Sequence, residues 1–154
     1  MNRQDILIKS DTRGIYDVQI DGADFASSEG FESAIAASYF TDSRAPAVQV
    51  QEAQKRRGWV GNILTAIQSR ELGGLLWILD QARVTDDTLN FAKSFAQDSL
   101  QWLIEDGLAR SIQVSVARNG IRGITILTDI TTIENTVLRY VTLWRSTDLT
   151  RILP

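Results

Sequence analysis

Ile112-Gln113-Val114-Ser115-Val116 decides the fold of this chain. Apolar and polar residues alternate there with the two-residue period of a strand that buries one face. Asn119-Gly120 follows as a tight-turn signal, and Ile124, Ile126 and Ile130 then resume the alternation. A second turn falls around Glu134-Asn135. Beyond it Val137, Arg139, Val141 and Leu143 alternate with Leu138, Tyr140, Thr142 and Trp144, which completes a three-stranded antiparallel meander. Strands apolar on both faces imply a covered sheet.

Upstream of the meander the apolar period becomes helical. Val84 and Leu89 fit a hydrophobic staple around Thr85 as N-cap, and Asp86 and Asp87 suit the positive end of the helix dipole. Leu89, Ala92, Ala96 and Leu103 form one stripe of this helix and Phe91, Phe95 and Trp102 an adjacent one. One stripe serves the core and the other a neighbour, although ordinary core is the plainer reading of such aromatics. Gly107, after Glu105-Asp106, is placed as a left-handed helix stop with Leu108 folding back on the last turn. Leu75 to Ala82, after Gly73-Gly74, reads as a buried helix that Trp77 broadens. Phe31, Ile35, Ala36 and Tyr39 recur at helical spacing between Gly30 and Phe40, with Ser27 and Ser28 as caps.

Ile6-Leu7-Ile8 and Gly14 to Ile20 read as short strands of a hairpin, or an arm plus a strand, closed by Asp21-Gly22. From Thr41 to about Ser69 the pattern dissolves into a long irregular connection around Pro46 and a run of glutamines. Structureless loops beyond about 12–15 residues are uncommon in compact domains and are usually functional or disordered. The expected architecture is therefore α+β, with helices packed on a small antiparallel sheet and a C-terminal three-stranded meander. One domain spans 1–154, with extended arms at 1–8 and 146–154 and the loop at 41–69. At 154 residues such a domain buries roughly 70% of the surface its unfolded chain exposes, so it needs no staple to fold.

Composition removes whole classes of chemistry. With neither cysteine nor histidine, a thiolate nucleophile, an imidazole base, a zinc site of the usual ligands and a disulfide are excluded together. Thirteen arginines and three lysines are scattered against a net charge of −3, which makes no nucleic-acid footprint. The longest apolar run, Leu75 to Leu79, is far short of a membrane span, and no signal peptide is visible at the start. No phosphate loop or dinucleotide fingerprint occurs, and no cofactor is expected. Asp21-Gly22-Ala23-Asp24 lacks the ligand spacing and closing glutamate of a calcium loop and reads as a turn. Catalysis would fall to carboxylates such as Glu29, Glu32, Asp42, Glu105 and Asp106, as in a cell-wall (lysozyme-like) hydrolase. Four of the five have a plainer role: Glu29 and Glu32 favour a helix start, and Glu105 and Asp106 end another helix as solvated charges.

Lys55-Arg56-Arg57-Gly58-Trp59-Val60-Gly61 suits gripping more than reacting. Arginine offers a planar fork for carboxylates, tryptophan a large apolar face with one donor, and glycine a close backbone approach. That combination is common where protein meets protein, although a solvated charge run with a tryptophan anchoring its own loop explains it equally well. A cytosolic adaptor domain would use the same chemistry.

Taken in order, Phe31-Glu32-Ser33-Ala34, Phe40-Thr41-Asp42-Ser43-Arg44-Ala45, Arg56-Arg57-Gly58-Trp59-Val60-Gly61, Leu76-Trp77-Ile78-Leu79 and Trp102-Leu103-Ile104-Glu105-Asp106-Gly107 resemble the Mu-like phage tail baseplate family. The resemblance runs from about Asp17 to about Ala117, and the meander matches in pattern only. It implies a wedge subunit of a contractile tail related to sheath-initiator proteins, located in the virion tail baseplate and assembled in the host cytoplasm. It implies other wedge proteins, the tail sheath protein and central hub or tube proteins as partners, with no nucleic acid, membrane or cofactor. Carried onto this sequence, Arg44, Arg56, Arg57 and Trp59, with Glu105 and Asp106, are the expected partner-binding residues. Val60 stands where the family would have a second aromatic, and Asn62 where an acidic residue would be usual.

Overall fold

The computed structural model describes residues 5–10, 16–21, 24, 25, 27, 28, 30–64, 71–80 and 82–145. Residues 1–4 of the expected N-terminal arm, Gly14, Gly22, Glu29, the 65–69 end of the loop and the 146–154 arm lie outside the described residues.

The chain opens with six short strands, β1 (Asp5–Ile6), β2 (Ile8–Ser10), β3 (Tyr16–Val18), β4 (Ile20–Asp21), β5 (Asp24–Phe25) and β6 (Ser27–Ser28). They pair antiparallel as β2 with β3, β4 with β5 and β1 with β6. The expected hairpin is present, with Ile8 opposite Val18, and the chain reverses between Asp21 and Asp24. Helix α1 (Glu32–Phe40) follows. Ser27 and Ser28 belong to β6 and do not cap it; Phe31 holds the N-cap position with no side-chain cap. The Phe31 N–H donates instead to Tyr140 Oη at 3.0 Å, and the Ser33 hydroxyl donates to the Ile6 carbonyl while accepting from the Ile8 N–H. Long-range partners thus replace the local cap and tie the strands to the helix.

The stretch expected as a helix over Leu75 to Ala82 is a single 3-10 turn, Leu76–Leu79. Three residues per turn eclipse Leu76 and Leu79, and both are buried. The apolar run from Leu75 to Leu79 is too short to sustain an α-helix on its own. Helix α2 (Asp86–Ser99) begins where the staple places it, with Thr85 Oγ1 accepting from the Thr88 N–H at 3.2 Å. The expected continuous helix breaks at Leu100, and α3 (Gln101–Glu105) continues separately. Leu100 and Leu103 are both fully buried, and beyond the break the Trp102 indole donates to Ser38 Oγ at 3.0 Å. At Gly107, φ is +66° and the Leu108 N–H returns to the Leu103 carbonyl at 2.8 Å, the stop expected there.

The meander is β7 (Ala109–Asn119), β8 (Gly123–Thr132) and β9 (Val137–Arg145), in spatial order β7-β8-β9. Asn119 opposes Gly123, so the first turn spans three residues, 120–122, instead of two. Thr132 to Thr136 close the second around Asn135 in positive φ. Ile112, Val114, Ile124, Ile126, Ile130 and Trp144 face the helices and are buried with Ile35, Tyr39, Leu76, Ala92, Phe95 and Ala96. The opposite face leaves Val137, Val141 and Leu143 exposed. The covered sheet implied by two apolar faces is thus covered on one, because among the described residues the helices form a single layer.

Candidate functional site

The connection after α1 is braced from within. Thr41 to Ser43 lie beside Gly74, whose N–H donates to the Thr41 carbonyl at 2.9 Å and whose carbonyl accepts from the Ser43 N–H at 3.0 Å. Gly73 makes the crossing possible: its φ is +113°, and a Cβ there would collide with the Thr41 carbonyl. The chain then returns, with the Trp59 N–H donating to the Asp42 carbonyl at 2.7 Å and the Ala45 N–H to the Arg56 carbonyl at 3.4 Å. Residues 56–59 are therefore laid against 42–45. The segment expected to be irregular contains 3-10 turns at Ala53–Lys55 and Val60–Ile63.

Arg57 sits at the centre. Its Nη1 reaches Asp80 at 3.0 Å and Asp42 at 3.4 Å, and its guanidinium lies 5.0 Å from the centroid of the Trp77 ring. The planar, weakly hydrated cation is suited to pair and stack at once. The Trp77 indole donates to the Ser43 carbonyl at 3.0 Å, so the platform under the guanidinium is itself fixed. Burial pushes the Asp80 carboxyl above the usual carboxylate range, while the Arg57 hydrogen bond and charge pull it back. Arg57 has a positive φ of 20°, uncommon for a side-chain-bearing residue, within this set of contacts.

Arg56 caps its own loop, with Nε to the Val50 carbonyl at 2.9 Å and Nη2 to the Gln51 carbonyl at 3.3 Å. Arg44 Nη2 reaches the Ala53 carbonyl at 3.4 Å. The loop thus brings Arg44, Arg56, Arg57 and Trp59 together. Glu105 and Asp106 are exposed at the end of α3, on a different element. Of the carboxylates considered for catalysis, Asp42 shares Arg57 with Asp80, Glu32 is exposed in the first turn of α1, and Glu29 is outside the described residues. Among the described residues no cluster of carboxylates could hold a metal ion, and no helix is long and apolar enough to cross a membrane.

What the braced loop presents is apolar. Trp59 is 48% exposed with its ring over Gly61, where any Cβ would strike the indole, and Val60, Ile63 and Leu64 are 69%, 81% and 82% exposed. Four large apolar residues on one turn form a crest, the kind of surface that marks an interaction site. Sequence reasoning stopped at Gly61 and missed Ile63 and Leu64. The signal that could have found them is their apolar character next to Trp59 in a connection otherwise rich in polar residues. Asn62 anchors the turn from its polar side, where Nδ2 donates to the Leu72 carbonyl and Oδ1 accepts from the Leu72 N–H, both at 2.9 Å. A carboxylate could accept there but could not donate.

The fold and the crest define an α+β domain with an internally braced, apolar-tipped loop. Residues 31–138 match the family described as Phage protein GP46, and the chain belongs to that family. It is 32% identical over 105 residues to the baseplate protein gp46 of Escherichia phage Mu, covering 67% of this chain and 70% of that protein. It is also 34% identical over 86 residues to the Mu-like prophage FluMu protein gp46 of Haemophilus influenzae, covering 56% of each. The family match takes in α1, the loop, α2, α3, β7 and β8, further into the meander than the blocks that carry the sequence resemblance.

Proposed function

We propose that this chain is a structural subunit of a contractile phage tail baseplate, a wedge component around the hub that helps nucleate the tail sheath. The observation that carries the reading is family membership across residues 31–138, together with a relative in phage Mu that is a baseplate protein. Two features support the finer role. The crest of Trp59, Val60, Ile63 and Leu64 offers apolar area to a neighbouring wedge chain, held by Arg44, Arg56 and Arg57. On the outer edge of β9 the backbone makes no hydrogen bond among the described residues, and an unpaired edge is a template for a strand from another chain such as the sheath protein. Glu105 and Asp106 are a second, acidic contact point. Of the expected arms at 1–8 and 146–154, residues 5–8 already pair within the chain, which leaves 1–4 and 146–154 to dock on partners, and the work requires no cofactor, nucleic acid or membrane.

The test is an affinity pull-down of the tagged chain from cells producing whole tails, with mass spectrometry of what it retains. Wedge, sheath and hub or tube proteins are the expected harvest, and Arg56→Ala with Trp59→Ala should lose the wedge partner. Recovery of none of these from assembled tails would reject the scaffold role.

A further inference from the structure

We infer that Gln97 decides which edge of the meander can receive an incoming strand, closing β7 and leaving β9 open; the inference rests on the strand-addition reading above. A three-stranded sheet has two edges, and each is a row of backbone donors and acceptors that another chain can extend. Here the two edges differ. On β7, Gln97 Nε2 donates to the Ile112 carbonyl at 2.8 Å and Gln97 Oε1 accepts from the Val114 N–H at 3.3 Å. The carbonyl of one residue and the N–H of the residue two further on are the pair that a single residue of a parallel neighbouring strand would engage. The side-chain amide, with one donor and one acceptor directed at them, stands in that residue's place.

The surroundings reinforce the closure. Lys93 lies one turn before Gln97 on the same flank of α2, and both line a groove of about 400 Å³ with Ile112, Gln113, Val114, Ser115 and Asp129. A strand approaching β7 would have to displace the amide and lie under the α2 flank beside an exposed ammonium. Charged and covering groups of this kind are how sheet edges are protected. β9 carries two charged side chains, Arg139, held by Asp129 of the neighbouring β8, and Arg145 at its last residue, but among the described residues no side chain occupies its outer backbone as Gln97 does on β7. Its backbone makes no bond there on the outer side, and Val137, Val141 and Leu143 add exposed apolar side chains beside it.

One open edge and two open edges have different consequences for association. Copies that pair through a single edge can form at most a closed pair, whereas a second edge lets pairing continue without limit. The purified full-length chain should therefore never exceed twice its 17.2 kDa mass in sedimentation or light scattering as its concentration rises. Gln97→Ala opens β7, so its mass should climb past that value, and its Val114 amide should exchange with solvent roughly tenfold faster. Gln97→Asn, one methylene shorter, keeps the polarity but loses the reach, and it should behave the same way if the alanine variant fails to fold. Folded variants that associate no further than the parent would overturn the inference, as would a parent chain that itself grows beyond two copies. Because these measurements use the isolated chain, growth of the variants beside a pull-down empty of tail proteins would leave Gln97's role standing and remove only the baseplate assignment.

Discussion

Tyr39 Oη and Thr128 Oγ1 lie 2.7 Å apart inside the core, a hydrogen bond that fastens the last turn of α1 to the middle of β8. Both residues are buried, so neither hydroxyl can turn to water in its partner's absence.

Tyr39→Phe should cost about 1–3 kcal/mol, because it leaves the Thr128 hydroxyl buried and unpaired. Adding Thr128→Val removes the orphan, and the double variant should recover part of that loss in urea unfolding. Burial raises the Tyr39 phenol from 10.0 to about 12. Its neutral form is favoured in the folded chain, so this contribution is complete below pH 10 and is lost as pH rises toward about 12. The phenylalanine variant should show a shallower alkaline decline between those limits. An unchanged slope would assign the decline to other groups, such as Tyr140, whose phenol burial also raises.

Arg57→Ala removes the cation shared by Asp42 and Asp80 and uncovers the Trp77 ring. Arg57 is about half exposed, and solvent screening limits the effect on global stability to roughly 1 kcal/mol. The local effect should be larger: the Trp59 amide, bonded to the Asp42 carbonyl, should exchange faster, and proteolysis within 41–64 should increase. Arg57→Lys should not restore the parent pattern, since an ammonium lacks the planar fork.

Gly73→Ala should destabilise the chain by roughly 2–4 kcal/mol, because positive φ and the Thr41 carbonyl both oppose a Cβ. Thermal unfolding measures this directly. A variant that melted with the parent would mean that the crossing of 41–43 and 73–74 can rearrange without loss.

Ile63→Asp with Leu64→Asp should leave the unfolding free energy within about 0.5 kcal/mol, since both side chains are already in water. If the crest docks on a neighbouring wedge chain, the same variant should be depleted from purified tails. Full incorporation would take the crest out of the interface.

Where local rules and long-range packing agree, the sequence could be read directly. Thr85, Asp86 and Asp87 start α2 as their chemistry requires, Gly107 ends α3, and both turns of the meander fall where Asn119-Gly120 and Glu134-Asn135 mark them. Distant partners defeated the rest. The Phe31 N–H is satisfied by Tyr140, 109 positions away, so no nearby serine is needed. Leu100 interrupts α2 and α3 with no glycine or proline to announce it. The arginines of the loop stand out in the sequence as a cluster, but that Arg56 caps Val50 and Gln51 while Arg57 faces Asp80 depends on contacts that spacing does not encode. Covering only one side of the sheet likewise depends on where the helices lie.

The two bonds between Asn62 and Leu72 close the chain on itself across the residues between them. Fixing Leu72 also fixes where the chain enters Gly73 and Gly74, so the apolar turn at 60–63 and the crossing of 41–43 hang from one anchor, and a change at Asn62 would be felt in both.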